Sequence, residues 1–375
     1  MLGDATLSST QLAFTYKDDA TGMILDAVNV SPAAGPATES TAGTLSFSDV
    51  DPADTHSASF APNGSGYVGT FSLDPVSESG GSGSVAWHYA VDNADIQFLA
   101  QGQTLTQDYF VTIADANGGS TSQDVTVTLN GTNDAPTAVG ETIITDAGPS
   151  STTDIPVWAL TLNDTDPDTS DHVTVNSIGT SSGGSAVPFG DVFFVDDATL
   201  GGSFTYNVTD GTTTSANFAT ATFVNSAATA TTLAGTGGDD ILIATNGTET
   251  MSGGGGNDVL IATTGGNAMS GGAGNDTFAF LHQPTGVSAI GDFNNTTEHD
   301  RIAVSASGFG GGLTAGQEVT FETTSDGAFS GFNQFNFDTG NQTLYYSADG
   351  TQGSAVVVAS VQAGVVLGQH DILVV

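Results

Sequence analysis

Apolar residues alternate with Thr, Ser, Gly and Asp along most of this chain, and the period is two. That pattern predicts strands over 84–91, 109–114, 124–129, 173–178, 203–208 and 219–224, each bounded by polar turn residues. Two further candidates, 12–16 and 23–30, precede a Pro/Ala/Gly linker. They read either as the tail of a preceding domain or as an edge added to the next one. Helical periodicity is nearly absent. Short strands at regular spacing with polar turns argue for β-sandwiches.

The pattern changes between residues 234 and 279. The chain reads A-G-T-G-G-D-D-I-L, then G-G-G-G-N-D-V-L-I, then G-G-A-G-N-D-T-F-A. Each copy fits the nonapeptide G-G-x-G-x-D-x-U-x, with U a large apolar residue, which predicts a parallel β-roll whose turns bind calcium. Placing the acids at Asp239, Asp258 and Asp276 leaves weaker half-turns at Glu249 and Asn267. The spacings are then ten, nine, nine and nine, and the ten predicts an inserted residue near 245–246. The inward apolar series is Ile241, Met251, Leu260, Met269 and Phe278. Two half-turns make one coil, so Asp239, Asp258 and Asp276 should stack on one side and Glu249 and Asn267 on the other. Two good calcium sites are expected on the Asp side, one between each adjacent pair. At most one weakened site is expected opposite, because Glu is longer and Asn uncharged. A flexible Gly-rich linker would have no reason to keep an apolar residue two places after each acid or amide.

This stretch resembles the repeats-in-toxin family of secreted calcium-binding proteins. The resemblance implies carboxylate ligands at Asp239, Asp258 and Asp276, and backbone carbonyl ligands from Gly237, Gly253, Gly255 and Gly271. It also implies a segment that is disordered inside the cell and folds on meeting calcium outside.

Residues 39–134 resemble the VCBS repeat of large bacterial surface and secreted proteins, from Gly43-Thr44-Leu45-Ser46-Phe47 through Trp87-His88-Tyr89 to Asn130-Gly131-Thr132-Asn133-Asp134. That family implies an immunoglobulin- or cadherin-like sandwich used as a spacer in adhesins. Trp87 is expected in its core. Residues 135–232 resemble a second, cadherin-like sandwich through Leu162-Asn163-Asp164-Thr165-Asp166-Pro167-Asp168 and Phe204-Thr205-Tyr206. Alternate carboxylates, as in Asp49-x-Asp51 and Asp164-x-Asp166-x-Asp168, can converge on one ion. The linker residues Asn133 and Asp134 join them as candidates, because such linkers bind calcium in cadherin-like arrays. Plain turn chemistry is the competing reading of all these loops.

Residues 282–375 follow as a cap. Ile290-Gly291-Asp292-Phe293 and His299-Asp300-Arg301-Ile302 resemble the pattern that closes calcium β-rolls in serralysin-type proteins. A hairpin is expected around a polar turn at 338–342. The ending Asp371-Ile372-Leu373-Val374-Val375 resembles the uncleaved signal of type I secretion, and reads equally as a last strand.

Charge sharpens this picture. Lys and Arg number 2 against 41 acids, a net charge of −39, which argues against nucleic acid and anionic membranes as partners. Almost no acid can find a base, so divalent cations are the economical neutraliser. Cysteine is absent, which removes disulfides and thiolate metal sites. No apolar run approaches the roughly 20 residues of a membrane span. The first residues have no basic region or apolar core, so no cleaved signal peptide is expected.

No H-E-x-x-H, G-x-S-x-G or phosphate-binding glycine pattern occurs, and the six histidines are scattered singly. The expectation is therefore an all-β, non-catalytic, secreted calcium-binding protein, adhesin-like or surface structural. Its parts are N-terminal strands and linker (1–38), VCBS-like sandwich (39–134), cadherin-like sandwich (135–232), calcium β-roll (233–281) and C-terminal cap (282–375). Its expected partners are calcium, the type I secretion machinery and surface glycans or proteins. Two alternatives stand beside it: a carbohydrate-binding module, marked by an exposed aromatic strip at Trp87, Tyr89 or Trp158, and the non-catalytic part of a repeats-in-toxin enzyme.

Overall fold

The computed structural model describes residues 13–14, 23–26, 38–196, 201–225, 230–263, 265–331 and 333–375, with side chains from residue 38 onward. Two compact units emerge, one of residues 1–136 with 166–172 and one of 137–165 with 173–375. Both are built of strands, as the alternation predicts; among the described residues the α-helices are two four-residue segments, Val157–Leu160 and Ala306–Phe309.

The first unit is a sandwich of two sheets. One holds Ala13–Phe14, Thr38–Ser48, Ser82–Asp92 and Thr70–Leu73 in that order, with Ser77–Ser79 also on Ser82–Asp92. The other holds Met23–Asp26, Ser120–Asn130, Thr104–Asp115 and His56–Pro62. The two N-terminal strands are thus edge additions to this sandwich, one to each sheet. The remainder of the candidates 12–16 and 23–30 lies outside the described residues. Alternate residues of the long strands face inward: Leu45 and Phe47, Val85 to Val91, Tyr109 to Ile113, Val125 to Leu129. Phe71 stacks between Trp87 (5.7 Å) and Tyr109 (4.2 Å). The Trp87 indole lies flat over Gly43, where a Cβ would come within 2.6 Å of it.

The second unit is dominated by two long sheets. Nine strands form one, in which Thr174–Ser182, Gly202–Thr209, Ala219–Asn225 and Glu141–Thr145 are followed by Asp240–Ala244, Val259–Ala262, Thr277–Phe280, Arg301–Val304 and Ile372–Val374. The other carries Thr232–Ala234, Thr250–Gly255, Ala268–Ala273, Ser288–Ile290 and Val356–Val361, then the hairpin expected at its polar turn, Phe335–Asp338 with Thr343–Tyr346, and finally Phe321–Thr324. From residue 232 to 304 the chain alternates between the two sheets in parallel register, and each return advances it by one coil.

The nine-stranded sheet explains why the sequence here is apolar without alternation. Strands buried on both faces read as continuous hydrophobic runs, and Asp240–Ala244, Val259–Ala262 and Thr277–Phe280 are buried at every residue. One face, with Leu242, Leu260, Phe278 and Ile302, fills the roll together with Leu233, Met251, Met269 and Ile290. The other, with Ile241, Ile243, Val259, Ile261 and Ala279, packs with Phe194, Phe204, Tyr206 and Phe223 of the neighbouring sandwich. The sheet runs through the boundary expected at 232/233, because Glu141–Thr145 pairs in parallel with Ala219–Asn225 on one side and Asp240–Ala244 on the other. It also runs through the boundary at 281/282, since Arg301–Val304 and Ile372–Val374 continue the same ladder.

Within that one strand, Ile143 faces the sandwich core and Ile144 the roll core. Ile144→Ala should therefore destabilise the roll by about 2–4 kcal/mol, read by denaturant unfolding in calcium. The second sandwich and the roll should lose structure in one transition; two separable transitions would count against a shared sheet.

Candidate metal centre

Each return from the outer sheet to the nine-stranded sheet passes through a glycine turn that ends in an aspartate. Parallel register pairs Ile241 with Val259 and Val259 with Thr277, which stacks Asp240, Asp258 and Asp276. The Asp240 amide donates to Asp258 Oδ1, the Asp258 amide to Asp276 Oδ1, and the Asp276 amide to Asp300 Oδ1, each at 2.9 Å. The four side chains form a buried rail, with Asp240 1%, Asp258 0%, Asp276 1% and Asp300 3% exposed.

The expected register is corrected here by one residue. Asp239 does not head this rail; it lies beside Asn257 and starts a second, exposed one, its Oδ1 accepting the Asn257 amide (2.6 Å) while Asn257 Oδ1 accepts the Asn275 amide (2.8 Å). With Asp240 in place, the positions 240, 249, 258, 267 and 276 are spaced by nine throughout. No residue is inserted at 245–246. Thr245 and Asn246 are instead held by the carboxylate of Asp146, just after the strand Glu141–Thr145. The inward series likewise begins at Leu242, and Ile241 faces the sandwich.

On the rail, Asp258 Oδ2 and Asp276 Oδ2 are buried and meet no donor among the described residues. Glycine carves the space beside them: a Cβ at Gly253 would overlap Asp258 Oδ2, and one at Gly271 would overlap Asp276 Oδ2. Gly253 stacks above Gly271, whose carbonyl oxygen would lie 2.5 Å from that Cβ, and Gly237 stacks on Gly255. Gly254 and Gly272, at φ 116° and 109°, make the bend that an L side chain resists. Burial, opposed only by the bonds from Asp240 and Asp258 amides and reinforced by neighbouring acids, raises Asp258 to about 7 and Asp276 to about 6. A carboxylate kept from water without a cation is costly, and the only arginine, Arg301, is exposed. Orphaned hard oxygens beside glycine carbonyls fit a calcium ion.

The opposite turns carry Glu249 and Asn267, as the alternation of half-turns requires. The Glu249 amide donates to Asn267 Oδ1 (2.9 Å), but the Glu249 carboxylate folds back onto its own turn and accepts the amides of Gly247 and Thr248. Below them Ser288 Oγ accepts the amides of Gly266 and Asn267. Hydrogen bonds hold this side. At the lower end of the roll, Asp292 accepts Ser270 Oγ and the amides of Gly271 and Gly272. Neither Asp292 nor Asp300 has the nonapeptide spacing, so only the cap resemblance pointed at them.

In the first unit Asp49 Oδ1 accepts the Asp51 amide (2.9 Å), and Asp51 Oδ2 is buried with no donor among the described residues. Asp49 also meets Asp54 and Asp115, their oxygens within 4.8 Å of one another. Sequence spacing could not give Asp115, which arrives on a different hairpin. His56 bridges Asp49 (2.9 Å) and Glu78 (2.6 Å); burial lowers its pKa, but these bonds more than offset that and leave it raised. Asp134, Asp166 and Asp168 also share this unit: the Asp134 amide donates to Asp168 Oδ2 (2.7 Å) and the Asp168 amide to Asp166 Oδ1 (2.9 Å). Burial, then the charges of Asp168 and Asp166, raise Asp134 to about 6. Asn133 Nδ2 donates to the Asp134 carbonyl (2.7 Å). Asp164 belongs to the second unit, where its Oδ1 accepts the Val139 amide (2.6 Å).

Repeats with this geometry define a class of calcium-binding protein. Residues 228–260 and 243–278 match the family model described as the RTX calcium-binding nonapeptide repeat (4 copies). These repeats bind calcium, and calcium is the cofactor of this chain. No curated protein matches. Among solved structures, the chain is similar to the AlgE6R3 subunit of the Azotobacter vinelandii mannuronan C5-epimerase, at 24% identity over 38% of this chain and 76% of that one, TM-score 0.26. It is similar also to zebrafish RET cadherin-like domains 1 to 4, at 10% identity over 57% of this chain and 51% of that one, TM-score 0.23. Scores this low carry no argument.

The raised carboxylates set a pH dependence. A folded-state pKa above the ordinary 3.8 means that the metal-free roll gains protons on folding, so this contribution is present at low pH and is lost as pH rises through about 6 to 7. In chelator, the melting temperature should fall between pH 5 and pH 8. In calcium the same protons compete with the ion, so affinity should weaken as pH drops below about 7. A chelated protein that gains stability toward pH 8 would contradict a buried, base-free rail.

Proposed function

We propose that this chain is a secreted, non-catalytic calcium-binding protein, adhesin-like or surface structural, whose roll folds on calcium after type I export. The observation that carries this reading is the rail of buried aspartates with orphaned oxygens over a glycine cradle. Asp240, Asp258 and Asp276 would supply carboxylates, and Gly253 with Gly271, and Gly237 with Gly255, carbonyl oxygens. Glu249 and Asn267 would form at most one weaker site. In the first sandwich, Asp49 and Asp51 with Asp54 and Asp115 would form a further calcium loop, and Asn133, Asp134, Asp166 and Asp168 another. Asp164 takes part in the second unit.

Bound calcium supplies positive charge where the chain has none. With Kd in the range of about 0.1–1 mM for extracellular modules, ligand at ~100 Kd adds about 2.7 kcal/mol per site. At low calcium, mutual repulsion of the acids keeps the repeats open and exportable. The end Asp371–Val375 would double as the export address. The domain division 1–38, 39–134, 135–232, 233–281 and 282–375, with VCBS-like and cadherin-like sandwiches forming a stalk, belongs to the same proposal. The glycan-binding alternative lacks its expected platform, because Trp87 and Tyr89 are each 1% exposed and Trp158 is half-buried against the second core.

Calcium titration with calorimetry and circular dichroism tests this reading. Two or more ions should bind, with a gain of β signal. Asp258→Asn and Asp276→Asn should each weaken binding about tenfold or remove one ion, whereas Asn257→Ala, on the exposed rail, should change affinity less than threefold. Unchanged dichroism and melting temperature after chelation would sink the folding switch.

A further inference from the structure

The core of the second sandwich is not built by the sandwich alone. Its own Phe194, Phe204 and Phe223 share one apolar cluster with Ile241, Ile243, Val259, Ile261 and Ala303, which lie on strands of the roll and its cap. None of those five is more than 2% exposed. The helix Val157–Leu160 belongs to the same cluster through its buried Ala159 and Leu160, and Trp158 packs against it. The back of the roll's sheet is thus one wall of the sandwich core.

The wall is threaded directly onto the rail of acids. Asp240 precedes Ile241 and Asp258 precedes Val259. The next residue on each strand, Leu242 or Leu260, turns into the roll, and the one after, Ile243 or Ile261, returns to the sandwich. Successive residues of a strand alternate between its faces, so one face cannot be set while the other stays free. Parallel register holds the two strands level. The splice at Glu141–Thr145 repeats the arrangement, with Ile143 in the sandwich core and Ile144 in the roll core. Beside it, Asp146 Oδ1 accepts the amide (2.8 Å) and the hydroxyl (2.9 Å) of Thr245. With the coils unformed, Glu141–Thr145 is left as an open sheet edge, and the aromatic cluster loses a wall to water.

We infer that the second sandwich is itself under calcium control: ions that set the coils also complete its core, so that residues 137–165 and 173–225 pack fully only when the roll has closed. The inference rests on the calcium-dependent reading above and extends it to a domain that holds none of the repeats. The device is a shared core rather than a shared site, and no ion need touch the sandwich. Coupling of this kind is reciprocal, so a packed sandwich in turn tightens the hold of the repeats on calcium. The calcium-switched segment then begins near residue 137, where the second unit begins, and not at the first repeat.

Hydrogen exchange on the whole chain, read by mass spectrometry in chelator and through a calcium titration, tests this. Amides of Gly202–Thr209 and Ala219–Asn225 should exchange about tenfold more slowly in saturating calcium than in chelator, with a midpoint within about twofold of that for Thr250–Gly255 and Val259–Ala262. Phe194→Leu supplies the reciprocal arm. Phe194 stacks on Phe223 (4.2 Å), lies in the sandwich core and is none of the proposed ligands. The variant should raise the calcium midpoint of the repeats by about threefold. Should it fail to fold in saturating calcium, the milder Ile155→Val, in the same core, carries that arm. Sandwich amides equally protected in chelator and in calcium, while the repeats respond, overturn the inference and leave the repeat sites standing. An unchanged repeat midpoint in the folded variant overturns it as well. Repeats that gain no protection in calcium overturn both readings.

Discussion

The roll of the second unit is built along a line of buried carboxylates with no base to answer them. Asp258 and Asp276 each accept one amide, Asp300 accepts those of Asp276 and Asn294, Asp240 accepts that of Thr236, and all four are withdrawn from water. The chain holds 2 Lys and Arg together, against 41 acids, so no internal cation can occupy that line. Coulomb repulsion between such groups grows as water leaves. The apolar interior of Leu242, Met251, Leu260, Met269 and Phe278 thus has to offset the cost of carboxylates withdrawn from water. On the calcium-dependent reading proposed above, folding and cation binding are one event, because the site does not exist before the coils stack.

A stack of coils also has two ends, and each exposes an unpaired edge and an open core. The lower end is closed by chain beyond the repeats. Ile372–Val374 pairs with Arg301–Val304, and Asp292 seats its carboxylate on the amides of Gly271 and Gly272. The upper end is closed by the strand Glu141–Thr145, whose two faces serve two cores. That strand already pairs with Ala219–Asn225, so the roll grows from an existing sheet edge. Asp146 completes the splice by holding Thr245 and Asn246 as a further coil would.

Much of this was legible in the chain. The strands of both sandwiches follow from period two, and the coil from period nine. The slip at Asp239 came from two adjacent acids, either of which satisfies the turn when viewed alone. The uneven spacing of ten was the physical warning: a parallel stack tolerates no extra residue without a bulge, and shifting by one restores nine at every step. What the sequence could not show was brought in from afar. Asp300 lies 24 residues after Asp276, where the repeat gives 18. Asp146 meets Thr245 across 99 residues and Asp115 meets Asp49 across a sandwich, with no local pattern to announce either. Glu141 looks like any strand acid until Asp240 is set against its strand.

The arrangement of the ends follows from how charge is shared along the rail. An ion held between two coils would screen an acid of each, so an inner coil would draw on two neighbours and a terminal coil on one. Nearest-neighbour stacking of this kind leaves the terminal coils weakest. A roll of few repeats has almost nothing but ends, so its stability rests on what adjoins them. Here both ends abut acids set by other parts of the fold, Glu141 and Asp164 above, Asp292 and Asp300 below. Of these, Asp300 extends the rail itself, by accepting the Asp276 amide without the nonapeptide spacing. On the calcium-dependent reading, the charge of these flanking acids adds to the cost of closing the ends without cations, so the ends answer to the same ion as the coils between them.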